Sequence, residues 1–262
     1  MQILGPIERM FYNDEDRARG RTSLPVKLRH MTITIVGASG LIGTKVTELL
    51  RNQGHDLVAA SRSTGVDVLS GAGLDQALAD ADVLVDVTNS PSFETGPVMN
   101  FFTTSATNLV AAAKRASVGH YVALSIVGAD GLPDSGYMRA KVAQEKIIKE
   151  SGLPYSIVRA TQFAEFADDI TESMTAGDEV KVPDALIQPI PADQVAAAVA
   201  AAAIAGPING IVNVGGPNKI TFKQLVSDAL ARKGDRSKTI VVDPKTRYYG
   251  AALNTRSLVT PD

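Results

Sequence analysis

The chain has 262 residues, 45% of them hydrophobic and 21% charged, with a net charge of -2. That composition supports a real core and gives no electrostatic reason to expect nucleic acid or an anionic membrane as partner. There is no cysteine, and the three histidines, His30, His55 and His120, are scattered, so disulfides, thiolate chemistry and Cys-ligated zinc are excluded and no metal site is expected.

Residues 1–30 carry interleaved charges, Gly5-Pro6, Gly20 and Pro25, with no sustained period of 2 or 3.6. They read as a flexible N-terminal extension before a folded unit of residues 31–262, with Met31 a candidate natural start. A basic arm built on Arg17, Arg19, Arg21, Lys27 and Arg29 is the alternative, weakened by the acidic residues early in the segment and by the lack of an aromatic platform beside the arginines. No apolar run reaches the roughly 18 residues of a membrane span, and charged Glu8, Arg9 and Asp14 are unlike a secretory signal. The expectation is a cytoplasmic protein.

From Thr32 the pattern is strand, turn, helix, repeated. Strands are expected at Thr32–Val36, Leu57–Ala60, Val83–Val87, His120–Leu124 and Tyr155–Val158. The helices between them are Leu41–Asn52, Leu74–Ala79, Val98–Ser117 and Tyr137–Glu150. Alternation of this kind predicts a Rossmann-like α/β fold, a doubly wound parallel sheet with helices on both faces. Beyond Arg159 the rhythm loosens: short strands at Val180–Val182 and Leu186–Ile190, an alanine-rich helix at Ala192–Ala205, a strand at Ile211–Val214, and a helix capped by Thr221. This last part, about residues 160–262, is expected to form a small C-terminal substrate lobe.

The first chemistry-bearing motif follows the first strand: Gly37-Ala38-Ser39-Gly40-Leu41-Ile42-Gly43. Glycines at a strand-to-helix turn let backbone amides approach a pyrophosphate, and Gly43 lets the helix sit close to the strand. The spacing is G-x-x-G-x-x-G, a departure from G-x-G-x-x-G, and its strand and helix context carries the weight. Gly37, Ser39, Gly40, Leu41, Ile42 and Gly43 are therefore expected to bind a dinucleotide. An acidic residue about 20 positions on would mark NAD, but Asp56 precedes the second strand and lies at its wrong end. The correct end carries Ser61-Arg62-Ser63, a guanidinium with hydroxyls that suits a 2′-phosphate, so NADP(H) is expected over NAD(H).

Tyr137 is the tyrosine with lysine four residues later, Lys141, on one face of the same helix. A cation beside a phenol favours phenolate, and such a tyrosine can exchange a proton with a substrate oxygen. Ser125 ends the strand before this helix, at the carboxyl edge where open sheets bind ligands, and could donate to a reacting carbonyl.

Together these residues resemble the short-chain dehydrogenase/reductase superfamily, and within it the atypical, NmrA-like branch of NAD(P)H-binding oxidoreductases. The resemblance runs over about residues 32–262 and rests also on Asp67-Val68, Val85–Asn89, Val158–Phe163 and Val214–Pro217. It implies that Asp67 and Val68 neighbour adenine and that Thr88 and Asn89 line the nicotinamide ribose. It makes Ser125, Tyr137 and Lys141 a catalytic triad, with Lys141 also reaching that ribose. The segment from Arg159 to Phe163 would close over the nicotinamide, and Phe163 and Phe166 would then face substrate. Read from the residues themselves, Phe93, Phe163 and Phe166 could make an apolar pocket wall, with plain core as the alternative. The expected activity is NADPH-dependent reduction of a small carbonyl, quinone or similar acceptor. The alternative is a non-catalytic NADP(H) redox sensor, because many atypical relatives lose the tyrosine; an isomerase or epimerase using bound NADP shares every residue named. Relatives often continue past a segment like Tyr249–Leu258 into a final helix, so the C-terminal lobe is expected to be incomplete. Oligomeric state is not legible.

Overall fold

The structure is a computed structural model that describes residues 30–261. The expected extension, save its last residue, lies outside the described residues. β-Branched residues open the fold as β1 (Thr32–Val36), and α1 (Leu41–Asn52) follows, burying Ile42, Val46 and Leu50 at four-residue spacing along one face. The alternation continues through β2 (Asp56–Ala60), α2 (Leu74–Leu78), β3 (Val83–Asp86), α3 (Thr95–Arg115), β4 (His120–Ile126), α4 (Gly136–Glu150) and β5 (Tyr155–Ala160). Gly152 stops α4 in the left-handed region, at φ 79°.

The central sheet has six strands in the order β2-β1-β3-β4-β5-β9, β9 being Gly210–Val214, and every neighbouring pair is parallel. Period-2 alternation sorts its side chains. Ile33, Ile35, Val85, Val122 and Val158 face α1 and α6 (Ala192–Ala205), whereas Val36, Leu84, Tyr121 and Ile157 face α2, α3 and α4 through Leu78, Leu109 and Ile148. This is the expected doubly wound sheet, covered on both faces. The alanines of α6 are nearly all buried, because small side chains let that helix pack closely against both the sheet and α1.

Residues after β5 divide between two places. β9 and α6 complete the sheet layers. The remainder forms a lobe from α5 (Ala167–Ser173), β6 (Thr175–Ala176), β7 (Glu179–Val182), β8 (Leu186–Ile187), β10 (Ile220–Thr221), α7 (Phe222–Lys233) and β11 (Thr239–Val242), closed by the hairpin of β12 (Arg247–Tyr248) and β13 (Ala251–Ala252). Thr221 caps α7 as expected, its hydroxyl accepting from Gln224 N at 3.1 Å. The expected strand 186–190 stops at Ile187 because Pro189 and Pro191 flank the next ladder position. Helix α5, strand β11 and the hairpin were not expected. No helix among the described residues is long and apolar enough to cross a membrane.

The sheet reverses its winding between β1 and β3, and the loops after these two strands touch. A Cβ on Gly37 would lie 2.9 Å from the Val87 carbonyl, and one on Gly43 would lie 2.1 Å from Gly37 O. Gly43→Ala is therefore expected to force β1 and α1 apart and to lower stability by about 1–3 kcal/mol, the usual penalty for overpacking. Urea denaturation checks this, and an unshifted midpoint would mean the turn has slack that the packing denies.

Candidate active site

A cleft of about 710 Å³ opens along the carboxyl ends of the strands, within the size range of cofactor sites. At one end it is floored by the glycine turn. Gly37 has φ 90°, and its amide donates to Ala60 O at 3.0 Å, which ties the turn to the end of β2. No side chain caps α1 at Gly40 and no acidic residue occupies its first turn, so the positive end of the helix faces the cleft uncompensated. Gly37, Ser39, Gly40, Leu41 and Ile42 line the cleft. Gly43 does not; its part is the close packing described above.

Ser61 and Arg62 line the same end, after β2, with Asp67 and Val68 beside them. A single 3-10 turn, Arg62–Thr64, presents the exposed guanidinium. Ser63 is held off the cleft, its hydroxyl 2.7 Å from Ser61 Oγ. The Asp67 carboxyl lies below its ordinary value, chiefly because it accepts from Leu69 N at 2.9 Å. Asp56 starts β2, at the end of the strand away from Arg62, and pairs with His30 at 2.7 Å.

At the other end Tyr137, Lys141, Ser125, Thr88, Asn89, Phe93, Phe163 and Phe166 all line the cleft. Tyr137 opens α4 and donates from its hydroxyl to Asn89 Oδ1 at 2.7 Å. The sequence predicts that Lys141 favours its phenolate, and the structure corrects this. Burial raises the phenol well above its ordinary value, the neighbouring Tyr249 adds to the rise, and the Asn89 hydrogen bond opposes it. Lys141 points elsewhere: Nζ donates to Leu124 O at 2.9 Å and to Gln144 Oε1, and lies 4.3 Å over the Phe102 ring. Burial lowers this ammonium to about 8, against the opposing charges of Asp86 and Glu145.

Ser125 is the second departure from expectation. Its hydroxyl donates to Glu145 Oε1 at 2.7 Å, so in this arrangement its single proton is not free for a substrate carbonyl. The strand period is the reason. Ser125 shares a face with Tyr121 and Ala123, beneath α4, while Leu124 and Ile126 take the other face.

Two buried polar clusters stand behind the cleft, and neither was singled out in the sequence. Asp86 accepts from Thr88 N at 3.0 Å, Thr88 Oγ1 at 2.7 Å, Tyr121 Oη at 3.0 Å and Gln144 Nε2 at 2.8 Å. It thereby fixes the Thr88-Asn89 turn and, through Gln144, Lys141. Glu145 is held by two bonds of 2.8 Å from Arg159, by Ser125, and by Lys149 at 3.1 Å. Gln162 was expected only as part of the closing segment. Both its amide atoms, and Thr161 Oγ1, are buried without a partner beside the cleft. Buried polar atoms of this kind call for a polar ligand or water, and a dinucleotide fits the donor set: helix amides and a cation at one end, unpaired amide and hydroxyl groups at the other.

Residues 37–205 match the family described as NAD(P)H-binding. The chain belongs to that family. Among known proteins it is similar to the photosystem II assembly factor Ycf39 of Synechocystis sp., 23% identical over 147 residues, covering 51% of this chain and 45% of the relative. The chain thus spans about half the length of the curated relatives it matches. Among solved structures it is similar to the Bordetella bronchiseptica enzyme WbmH in complex with NAD+ (18% identity, 86% of this chain and 89% of that one, TM-score 0.66). It is also similar to the Thermus thermophilus UDP-glucose 4-epimerase complex with NAD (17%, 88% and 91%, TM-score 0.67). The structural likenesses bear out the Rossmann-like fold, and the family match bears out the expected NAD(P)H-binding character.

The Glu145 cluster makes a stability prediction. Burial favours the neutral carboxyl, but the Arg159 and Ser125 hydrogen bonds and the Arg159 charge outweigh it and hold the group below its ordinary value of 4.5. An acid depressed in the folded state contributes stability that is complete above the unfolded value and is lost as pH falls through the folded one. Glu145→Gln should lower stability at pH 7 by about 3 kcal/mol, because Arg159 then keeps only Asp130 as an anionic partner. The difference from wild type should shrink as pH falls below 4.5. Urea midpoints at neutral and acid pH measure it; a gap independent of pH would remove the carboxylate charge as the cause.

Proposed function

We propose that this protein is an NADP(H)-dependent oxidoreductase of the NmrA-like type that reduces a small carbonyl, quinone or similar acceptor. The observation that carries the reading is the single cleft linking the glycine turn and Arg62 to the Tyr137 hydroxyl and the unpaired Gln162 amide. The backbone of Gly37–Ile42 and the positive end of α1 would hold the pyrophosphate, and Arg62 the 2′-phosphate. Asp67 and Val68 would flank adenine, and Thr88 and Asn89 the nicotinamide ribose. When bound, NADPH supplies a hydride, two electrons with one hydrogen nucleus, and leaves as NADP+. Tyr137 holds its proton at neutral pH, the state a proton donor needs. It passes that proton to the acceptor oxygen as the oxygen gains charge, and recovers one from water. Lys141, drawn inward by Leu124 O and Gln144, keeps a positive charge beneath this end of the site.

A second reading, a non-catalytic NADP(H) sensor, has one observation in its favour: the Ser125 proton and the Lys141 ammonium both point into the protein. The two readings share the cofactor site and part at Tyr137.

Calorimetry with NADPH and NADH tests the shared part. Arg62→Ala should weaken NADPH about 10- to 100-fold, the worth of a charge-assisted bond, and leave NADH nearly unchanged. Equal losses would remove the 2′-phosphate argument, and no heat from either nucleotide would remove the function altogether. Tyr137→Phe should then reduce NADPH oxidation across a carbonyl and quinone panel by about 10²- to 10⁴-fold with NADPH affinity retained. Absence of turnover by wild type across that panel would favour the sensor.

A further inference from the structure

The cleft is chemically one-sided, and its acceptor end has a feature that the cofactor does not explain. Of the described large hydrophobic residues, the exposed aromatics are Phe93 (58%), Phe166 (43%) and Tyr249 (44%), and all three line this cleft at the Tyr137 end. Their rings are already arranged in stacks. Phe93 lies 5.3 Å from the Tyr137 ring and 5.8 Å from Tyr249, at 27° to the latter, and Phe166 stacks on Phe163 at 5.5 Å. Exposed aromatic faces gathered in a concave site are surface left for a ligand to cover.

Charge is sparse where these rings meet. The acidic and basic side chains lining the cleft are Arg62 and Asp67, at the far end, and Lys141 and Asp169 near the rings. Lys141 is turned inward, and Asp169 would repel an anion. Among the described residues, no cation besides the inward-turned Lys141 lines this end of the cleft to meet a diphosphate or a carboxylate.

Tyr249 is held in place by the backbone. It stands at φ 45°, in the left-handed region that residues with a side chain rarely adopt, at the tip of the β12–β13 hairpin, followed by Gly250 at φ 84°. The hairpin root is anchored: Tyr248 is buried in the lobe core, and Arg247 donates to Gly250 O at 2.8 Å and to Asp134 at 3.2 Å. Unfavourable backbone conformations persist where surroundings enforce them, and they cluster at ligand sites. Here the enforced conformation places a tyrosine ring against Phe93 at the mouth of the site.

We propose that Tyr249 is a specificity-determining residue and that, with Phe93 and Phe166, it selects a flat, uncharged ring system as the acceptor and turns away sugar nucleotides. The proposal rests on the oxidoreductase reading and narrows its acceptor. It also separates this chain from the structurally similar epimerase, whose name specifies UDP-glucose.

The test is calorimetry on the full chain saturated with NADP+, using 2-methyl-1,4-naphthoquinone and UDP-glucose as probes. Wild type should bind the quinone and give no heat with UDP-glucose. Tyr249→Phe should keep quinone affinity, and Tyr249→Gly should lose about tenfold, the ring contact being removed from a backbone that glycine adopts freely. NADP+ affinity, read in the same experiment, should be the same in all three proteins and reports that the site is folded. Quinone affinity unchanged in Tyr249→Gly, no quinone binding by wild type, or UDP-glucose binding would overturn the proposal. Repeating the quinone titrations on the bare chain keeps the two readings apart: no heat from NADP+ defeats the cofactor assignment, while the dependence on Tyr249 is still read.

Discussion

The approach of Gly43 to Gly37 is the contact on which the rest of the site depends. With 2.1 Å between a notional Cβ and Gly37 O, α1 can lie against β1 only because position 43 has no side chain. The same turn leaves 2.9 Å between a notional Cβ on Gly37 and the Val87 carbonyl, so the loops leaving β1 and β3 run in contact. Two loops leaving neighbouring parallel strands toward opposite faces of the sheet leave a crevice between them, and a ligand that spans the sheet edge must lie there. The amides of α1, the Arg62 turn and the Thr88-Asn89 turn are brought to one cleft by this geometry rather than by any interaction among themselves.

Behind that crevice the structure uses charge to hold shape. Asp86 lies at the last position of β3, where the strand period turns its carboxylate beneath α4. Four hydrogen bonds satisfy it there, which is what makes an acidic group tolerable inside. Two of them come from Thr88, so the turn carrying Asn89 is rigid, and Asn89 in turn orients the Tyr137 hydroxyl. Glu145 does the same for β4 and β5 by binding Ser125 and Arg159 at once. The side chains that sequence reasoning assigns to substrate are thus partly employed in supporting the site. Ser125 is the clearest instance: its position at the sheet edge is as expected, while its hydroxyl belongs to the framework.

How much of this was legible follows from which rules act locally. The first strand, the glycine turn and α1 were readable to the residue, because β-branching, glycine spacing and the four-residue apolar period all point the same way there. The position of Arg62 against Asp56 followed from strand direction alone. The helix carrying Tyr137 was readable too, but the destination of Lys141 was not. Spacing shows that positions 137 and 141 share a helical face; it does not show that Leu124 O and Gln144 draw the ammonium away. Gln144 and Glu145 resemble ordinary solvated positions of an amphipathic helix, and only the parallel packing of β3, β4 and β5 brings Asp86 and Arg159 to meet them. The lobe was least legible, since strands of two residues carry no period and Tyr249 stands in a conformation that residue type disfavours. The one hint was compositional, Tyr248-Tyr249-Gly250 in a chain with few aromatic residues.

The distribution of charge gives the cleft a direction. Its one exposed cation, Arg62, sits after β2, and the aromatic rings gather beside α4, with the sheet edge between them. A dinucleotide with three or four negative charges at its phosphate end and an amide-bearing ring at the other is attracted in one orientation and opposed in the reverse, where phosphates would meet Asp169 and a wall of phenyl rings. The unpaired Gln162 amide sharpens this, for it sits where a neutral polar group is wanted and an ionised phosphate would find no countercharge. Orientation of this kind comes before catalysis: it would bring the redox-active ring of a bound dinucleotide to the Tyr137 end whether the protein turned over an acceptor or only sensed which nucleotide it held. The same polarity would serve either role on one scaffold, because both would need the same bound geometry and would differ only in whether Tyr137 passes a proton to an acceptor.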